Sequence, residues 1–336
     1  MTTTTFGLKY VTNVGFAADF GGRGFQLPSS MAIRADGVIF VVSRGKPSTK
    51  QSNGIQMVTK DHDFLGQIGT YGAGLGGMMW PTSVVLDGDE NLYLADEYFN
   101  KVTKYDREGN PLTEWGTKGS GDGQFNQPSG LLIQDQLIYL VDSRNNRIQM
   151  YSLDGEFQGQ WGSGGDGEGE FNLPWGISDD SEGNIYIADW RNDRIQKFTE
   201  DGEFIASYGE SGYGDGQLNK PSSVAVDSKG FIHVADWGNE RVQVLNPNGE
   251  FHQMLEGEAT LSKWAEEWLE VNLDEYELRK ESDLLVKELP SHLQSPYHKA
   301  SQSEPNFWGP VSVKIDSDDR LYVTEHSRHR IQIYQQ

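Results

Sequence analysis

Arg44, Arg144, Arg191 and Arg328, the aromatics Tyr98, Trp190 and Trp237, and the run Glu325-His326-Ser327-Arg328-His329 are the residues of this chain best suited to chemistry. A guanidinium pairs bidentately with a carboxylate or phosphate, an indole face stacks a planar group or a cation, and an imidazole exchanges protons near neutral pH. Most of them fall inside a recurring frame, an Asp followed five residues later by an Arg, as in Asp189-Trp190-Arg191-Asn192-Asp193-Arg194 and Asp236-Trp237-Gly238-Asn239-Glu240-Arg241. Arg147, Arg194, Arg241 and Arg330 hold the second framework place and Lys101 its equivalent; this periodic set reads as architecture that satisfies turn backbone. The residues that break the period, to which Lys46 belongs, are the better candidates for a site. Gathered in one place, they would suit a small anionic organic ligand between flat walls. Dispersed, they are exposed turn residues with no further role.

The repeat that carries this frame dictates where the turns go. Six copies can be aligned on Pro28, Pro81, Pro128, Pro174, Pro221 and Pro310, the best preserved being FNLPWGISDDSEGNIYIADWRNDRIQKFTEDGEF at 171–204. Within a copy, short β-branched runs such as Ser222 to Asp227 and Phe231 to Asp236 flank glycine-bearing turns, and a second hairpin follows, giving four strands a, b, c and d. A period of forty-odd residues with four strands per unit predicts an all-β, six-bladed β-propeller forming one domain over residues 1–336. The sixth copy ends on a c strand at Arg330 to Tyr334, so residues 7–14 (GLKYVTNV) are expected to supply its missing outer strand and close the ring.

One spacing departs from the period: Pro221 and Pro310 are 89 residues apart. Within residues 256–303, Leu261, Trp264, Ala265, Trp268 and Leu269 follow helical spacing, and Asn272 with Glu275 begins a second helical piece expected to carry Tyr276, Leu284 and Leu285 as far as Pro290. This helical insertion lies in a d-to-a connector. Such connectors emerge on the same face as the b-to-c turns, so the insertion is either a lid over the channel mouth or padding on its rim.

The pattern PxGI(A/S)xD…GNIY(I/V)AD…N(D/E)RIQ resembles the NHL repeat family over nearly the whole chain. The b strand and turn of the first copy, VIFVVSRGKPSTK, in which Ser43 replaces the framework Asp, resemble the first blade of peptidyl-α-hydroxyglycine amidating lyase and its bacterial NHL relatives. That resemblance implies a catalytic role for Arg44, and the Asp96-Glu97-Tyr98 turn implies one for Tyr98. The lyase places zinc-binding histidines directly after the blade-opening prolines, whereas this chain has Ser29, Thr82, Ser129, Trp175, Ser222 and Val311 there. Neither zinc nor amidating-lyase activity is therefore expected. Three imidazoles at one level would be needed for such a site, and Glu325, His326 and His329 are too close in sequence to converge easily on one ion. No metal or other cofactor is expected.

Fifty acidic residues against 28 basic ones give a formal charge of −22, which repels polyanions and argues against nucleic acid. The chain has no cysteine, which removes thiolate chemistry, and neither a signal-peptide pattern nor a membrane-length apolar run is visible, so a cytoplasmic location is expected. The acidic turns Asp87-Gly88-Asp89-Glu90-Asn91 and Asp316-Ser317-Asp318-Asp319 lack the ligand series of a calcium loop and read as hairpin turns. Two functions remain. In the first, a small anionic ligand is bound at the mouth or acted on there in a metal-independent lyase or hydrolase reaction, with Arg44, Tyr98 and His326 as catalytic residues and Arg144, Trp190, Arg191, Trp237 and Arg328 lining the site. In the second, the connector face and the tryptophan-rich helix dock a protein partner.

Overall fold

The computed structural model describes residues 7–17, 22–45, 52–285 and 288–336. Six four-stranded antiparallel sheets are arranged as blades. Their inner strands, the a strands, are Pro28–Ile33, Pro81–Leu86, Pro128–Gln134, Pro174–Asp179, Pro221–Val226 and Pro310–Ile315. The sixth sheet is completed by Lys9–Val14, which pairs antiparallel with Arg330–Gln335, Lys9 opposite Gln335 and Val14 opposite Ile331. The outer strand of the last copy thus comes from residues 9–14. The core is a set of clusters between neighbouring blades, for example Val141, Ile148 and Phe171 of blades three and four against Ile177, Ile187 and Phe198, because each sheet buries both faces against its neighbours.

Every a strand carries a β-bulge just after its proline, where the register against the b strand shifts. A proline has no N–H to give to the ladder, and the bulge that accommodates it re-aims the next side chain towards the channel. Four of these residues then link blade to blade: the Ser29 hydroxyl donates to the Pro81 carbonyl at 2.9 Å, Thr82 to Pro128 at 2.9 Å, Ser129 to Trp175 at 2.8 Å and Ser222 to Pro310 at 3.2 Å. The positions after the blade-opening prolines thus hold hydroxyls in blades one, two, three and five, and Trp175 and Val311 in blades four and six.

The periodic Asp and Arg residues are architectural. Arg147, Arg194 and Arg241 pair with Asp142, Asp189 and Asp236 at 2.7–2.9 Å and reach carbonyls of the preceding connector. The same aspartates accept connector N–H groups of Asn126, Asn172 and Asn219. In blade one Ser43 keeps one such bond, from Gln26 N–H, and in blade six Glu325 takes the acidic place and pairs with Arg330. The acidic a-to-b turns are also structural: Asp87 accepts the N–H groups of Asp89 and Asn91, and Asp316 those of Asp318 and Arg320.

A second latch joins successive blades. In blades two to six the turn residue before the c strand is left-handed, and its side chain accepts the N–H of the residue ahead of the next proline: Asn100 from Gln127, Asn146 from Leu173, Asp193 from Lys220, Glu240 from Gly309 and His329 from Leu27. Asn and Asp tolerate this conformation. Glu240 is the acidic latch that titrates near neutrality, since burial pushes its carboxyl up to about 7, the Gly309 N–H opposing and the Glu325 charge adding to it. The folded state thus holds this proton more tightly than the unfolded chain does, so the group costs stability progressively as pH rises from about 4.5 through 7. Glu240→Gln keeps an acceptor for Gly309. Its unfolding free energy is expected to exceed that of the parent by about 2–3 kcal/mol at pH 8 and to match it at pH 5; urea unfolding at the two pH values checks this, and a pH-independent difference would contradict it.

The insertion forms three helices, α1 (Lys263–Val271), α2 (Leu273–Glu281) and α3 (Pro296–Gln302). Ser262 caps α1 by accepting from Ala265 N–H. The second piece stops at Glu281, short of Leu284, because Ser282 turns extended and Asp283 accepts the Leu285 N–H. Leu285 then forms a bridge with Ser303. A third helix, beyond the two expected, starts after Ser295, whose side chain accepts from His298 N–H, with Pro296 in its first turn. No described helix is long and apolar enough to cross a membrane.

Candidate functional site

The b-to-c turns and the a-strand bulges meet at one mouth of the channel in a cavity of about 200 Å³. Arg44, Trp190, Trp237 and His326 line it from the turns of blades one, four, five and six, and Trp175, Ser29, Thr82 and Ser222 from the bulges. Trp190 and Trp237 stand 6.2 Å apart with their planes at 41°. The 3₁₀ turn Trp237–Asn239 presents the second of these indoles, with α3 packed against it. Trp175 needed no separate motif to be found: it is the one aromatic residue to follow a blade-opening proline.

Arg44 follows the edge of its b strand and its guanidinium is held by Glu97, which is only 10% exposed. It also lies 5.8 Å from the Trp80 ring, so it is oriented from two sides by the turn of blade two. Lys46 lies outside the described residues. His326 makes a 3.1 Å contact from Nδ1 to the Pro28 carbonyl. Since a carbonyl only accepts, Nδ1 carries the proton and Nε2 the lone pair. Burial pushes this imidazole below its ordinary range, the Pro28 carbonyl opposes that, and the Arg44 charge adds to it. His326 is therefore a neutral base at physiological pH, next to a cation.

The remaining predicted residues stand elsewhere. Arg191 stacks over Trp190 at 5.8 Å, with Lys220 at 5.6 Å from the same ring, and both add positive charge behind the wall. Tyr98 is half exposed on the rim, edge-on to Trp80 at 5.1 Å, and does not line the cavity. Arg144 is also outside it, exposed and donating to Gln127. Arg328 is not a ligand residue in this geometry: its guanidinium donates to the Ala300 and Ser303 carbonyls at 2.8 and 2.9 Å, fastening the C-terminal end of α3. Glu325, His326 and His329 do not converge, because Glu325 is paired with Arg330, His329 accepts from Leu27 N–H, and His326 faces Pro28. Among the described residues no three His, Asp or Glu side chains are placed to hold one metal ion.

Trp264 turns away from the mouth. It is 1% exposed within a cluster that includes Val14, Phe25 and Val58, and its Nε1 donates to the His62 carbonyl at 2.7 Å. The part of the insertion that reaches the turn face is α3.

Comparison with known proteins places this geometry. The NHL repeat model matches residues 171–198, 218–245 and 307–334. With six blades and a closing N-terminal strand already described, that decides the type. The chain carries NHL repeats in three blades of a six-bladed β-propeller.

Several solved structures share this propeller. A streptogramin B lyase structure has 12% identity and a TM-score of 0.56, covering 98% of this chain and 97% of that one. A catalytically inactive histidine-to-alanine variant of virginiamycin B lyase from Staphylococcus aureus with quinupristin has 12% identity and a TM-score of 0.57, covering 97% and 85%. A Bacteroides thetaiotaomicron protein of unknown function has 14% identity and a TM-score of 0.61, covering 97% and 75%. At these identities the likeness is one of fold. No curated protein sequence matches the chain.

Proposed function

We propose that the tryptophan-walled mouth of this NHL propeller binds a small organic anion with a planar or apolar body, and that His326 moves a proton on it in a lyase- or hydrolase-type reaction run by the chain's own side chains. The observation that carries the reading is the convergence of Arg44, His326 and three indoles, from four different blades, on one cavity. Arg44 holds the carboxylate and Trp190 and Trp237 enclose the body. In an elimination, Nε2 of His326 takes the proton α to that carboxylate, the C–H electron pair becomes the new double bond, and the leaving group departs with its own bonding pair. A depressed imidazole pKa keeps the base free at neutral pH and lets it release the proton afterwards. Tyr98, at the rim beside Trp80, shapes the entrance and is not the proton carrier. That two structural neighbours are lyases, one inactive after loss of a histidine, supports the reaction class.

Tryptophan fluorescence provides the test. Small aromatic and aliphatic carboxylates should quench or shift the emission saturably, and Trp237→Ala should weaken the effect about tenfold or more, the worth of one stacked indole in a partly closed site. Quinupristin is a further arm of the screen because a structural neighbour binds it. A protein-docking role for the tryptophan-rich helix loses Trp264, which is buried, but Val271, Leu273 and Leu278 on α1 and α2 are exposed. If no anion or quinupristin perturbs the fluorescence, that apolar surface becomes the functional face and the scaffold reading takes over.

A further inference from the structure

The channel has a second mouth, on the face of the a-to-b turns. Midway, the second residues after the prolines are all small: Ser30, Ser83, Gly130, Gly176, Ser223 and Ser312. A Cβ on Gly130 would lie 2.6 Å from the Trp175 carbonyl oxygen and one on Gly176 2.7 Å from that of Ser222, so the strands approach too closely for larger residues there. The free space falls to about 30 Å³, room on the scale of a water molecule. Beyond this neck the channel opens into a chamber of about 600 Å³ with walls that include Ile33, Val84, Leu86, Ile133 and Ile315.

Lys314 stands where the chamber meets the neck and lines both. The equivalent places in the other five a strands hold Ala32, Val85, Leu132, Ser178 and Ala225, so this lysine is the single charge in its layer. The other cations of the chamber are paired: Arg34 with Asp36 at 2.6 Å, Arg320 with Asp318 at 2.8 Å, Lys60 with Asp61 at 3.0 Å. Lys314 has no carboxylate within ion-pair distance among the described residues. An amine enclosed without a partner costs free energy that a structural role would not repay. Burial pushes it below the ordinary lysine range, with the charge of Asp179 in blade four opposing.

We propose that Lys314 is a nucleophilic amine that captures a small apolar or aromatic aldehyde or ketone as an imine inside this chamber. At the opening Arg34 and Arg320 are already paired with Asp36, Asp316 and Asp318, and Asp179 acts on the amine, so an anion finds no unpaired guanidinium there among the described residues, whereas the apolar walls favour the body of a neutral carbonyl compound. The neutral Nζ attacks the carbonyl carbon and the C=O pair moves to oxygen, which takes a proton from water as the nitrogen gives one back; the nitrogen lone pair of the carbinolamine then forms the C=N bond, hydroxide leaves, and it carries off the second nitrogen proton as water. No oxidant or reductant is consumed.

The test is reductive trapping of the whole protein at pH 7 with benzaldehyde and cyanoborohydride, read by intact mass and peptide mapping. Lys314 is expected to be alkylated at least roughly tenfold faster than exposed lysines such as Lys9, Lys118 and Lys299, with one fast adduct per chain that disappears in Lys314→Arg. The parent protein alone decides the question if the variant misfolds. Labelling spread over the exposed lysines, a fast adduct that persists in Lys314→Arg, or full protection of Lys314 by millimolar benzoate would overturn the proposal, the last by showing an anion site.

Discussion

Replacing Trp264 with alanine is expected to lower the unfolding free energy by about 3–5 kcal/mol, the usual cost of deleting a fully buried large aromatic. The reason lies in how the ring closes. In blades two to four, the last residue of an outer strand packs on a left-handed turn residue of the next blade: Trp115 on Gly155, Trp161 on Gly202 and Tyr208 on Gly249. Blade six takes its outer strand from the N-terminus, and that strand ends on Val14, opposite Ile331, followed by Gly15, with no large aromatic to perform this task. Trp264 arrives from the insertion and does it instead, set against Phe25 at 6.0 Å and bonded to the carbonyl of His62, the left-handed residue of the corresponding turn in blade one. Its helix is moored to the closing strand through Ser262 to the Gly15 carbonyl and Asn13 to the Thr260 carbonyl. Trp264→Ala removes the packing and leaves the His62 carbonyl without its donor. Urea unfolding is the check; a loss below about 1 kcal/mol would mean that the N-terminal strand closes the seam alone.

The blades were legible because a repeat states its own period: six prolines, six bulges and the Asp-to-Arg frame each follow from local chemistry that recurs. The closing strand was legible for the same reason, since a missing strand at one end of a ring requires a supplement from the other. The helical spacing around Trp264 and Trp268 was visible too, but its destination was not. Whether an apolar helix face covers a channel mouth or fills an outer seam depends on which surface lacks a side chain, and that lack, after Val14, shows only when the blades are assembled. Four of the predicted site residues, Arg44, Trp190, Trp237 and His326, share a cavity because they occupy the same offset in equivalent turns. Arg328 stands three residues after the framework Glu325, not directly after it, and is drawn off by the carbonyls of α3, a partner far from it in sequence. Glu97, the counter-charge of Arg44, looked like a turn residue. Its role required knowing that neighbouring turns touch.

The ion pair between Arg44 and Glu97 leads to the second prediction, in which two substitutions act in opposite directions. An entering carboxylate has to share or displace Glu97 on the Arg44 guanidinium. Arg44→Ala removes the bidentate donor and should weaken anion binding roughly ten- to hundredfold, equivalent to about 1.5–3 kcal/mol for a hydrogen bond to a charged group. Glu97→Gln removes the competing charge while leaving a neutral side chain of the same size against Arg44, and should tighten binding roughly three- to tenfold, in line with about 1 kcal/mol for a partly exposed pair. A merely structural ion pair gives no such split, because breaking it from either end destabilises the same turns. Isothermal titration of the parent, Arg44→Ala and Glu97→Gln with the tightest-binding carboxylate from the fluorescence screen is the most direct measurement of the anion site: affinity ordered Glu97→Gln above parent above Arg44→Ala is the predicted result, and equal affinities for all three proteins, or weakening in both variants, would contradict it.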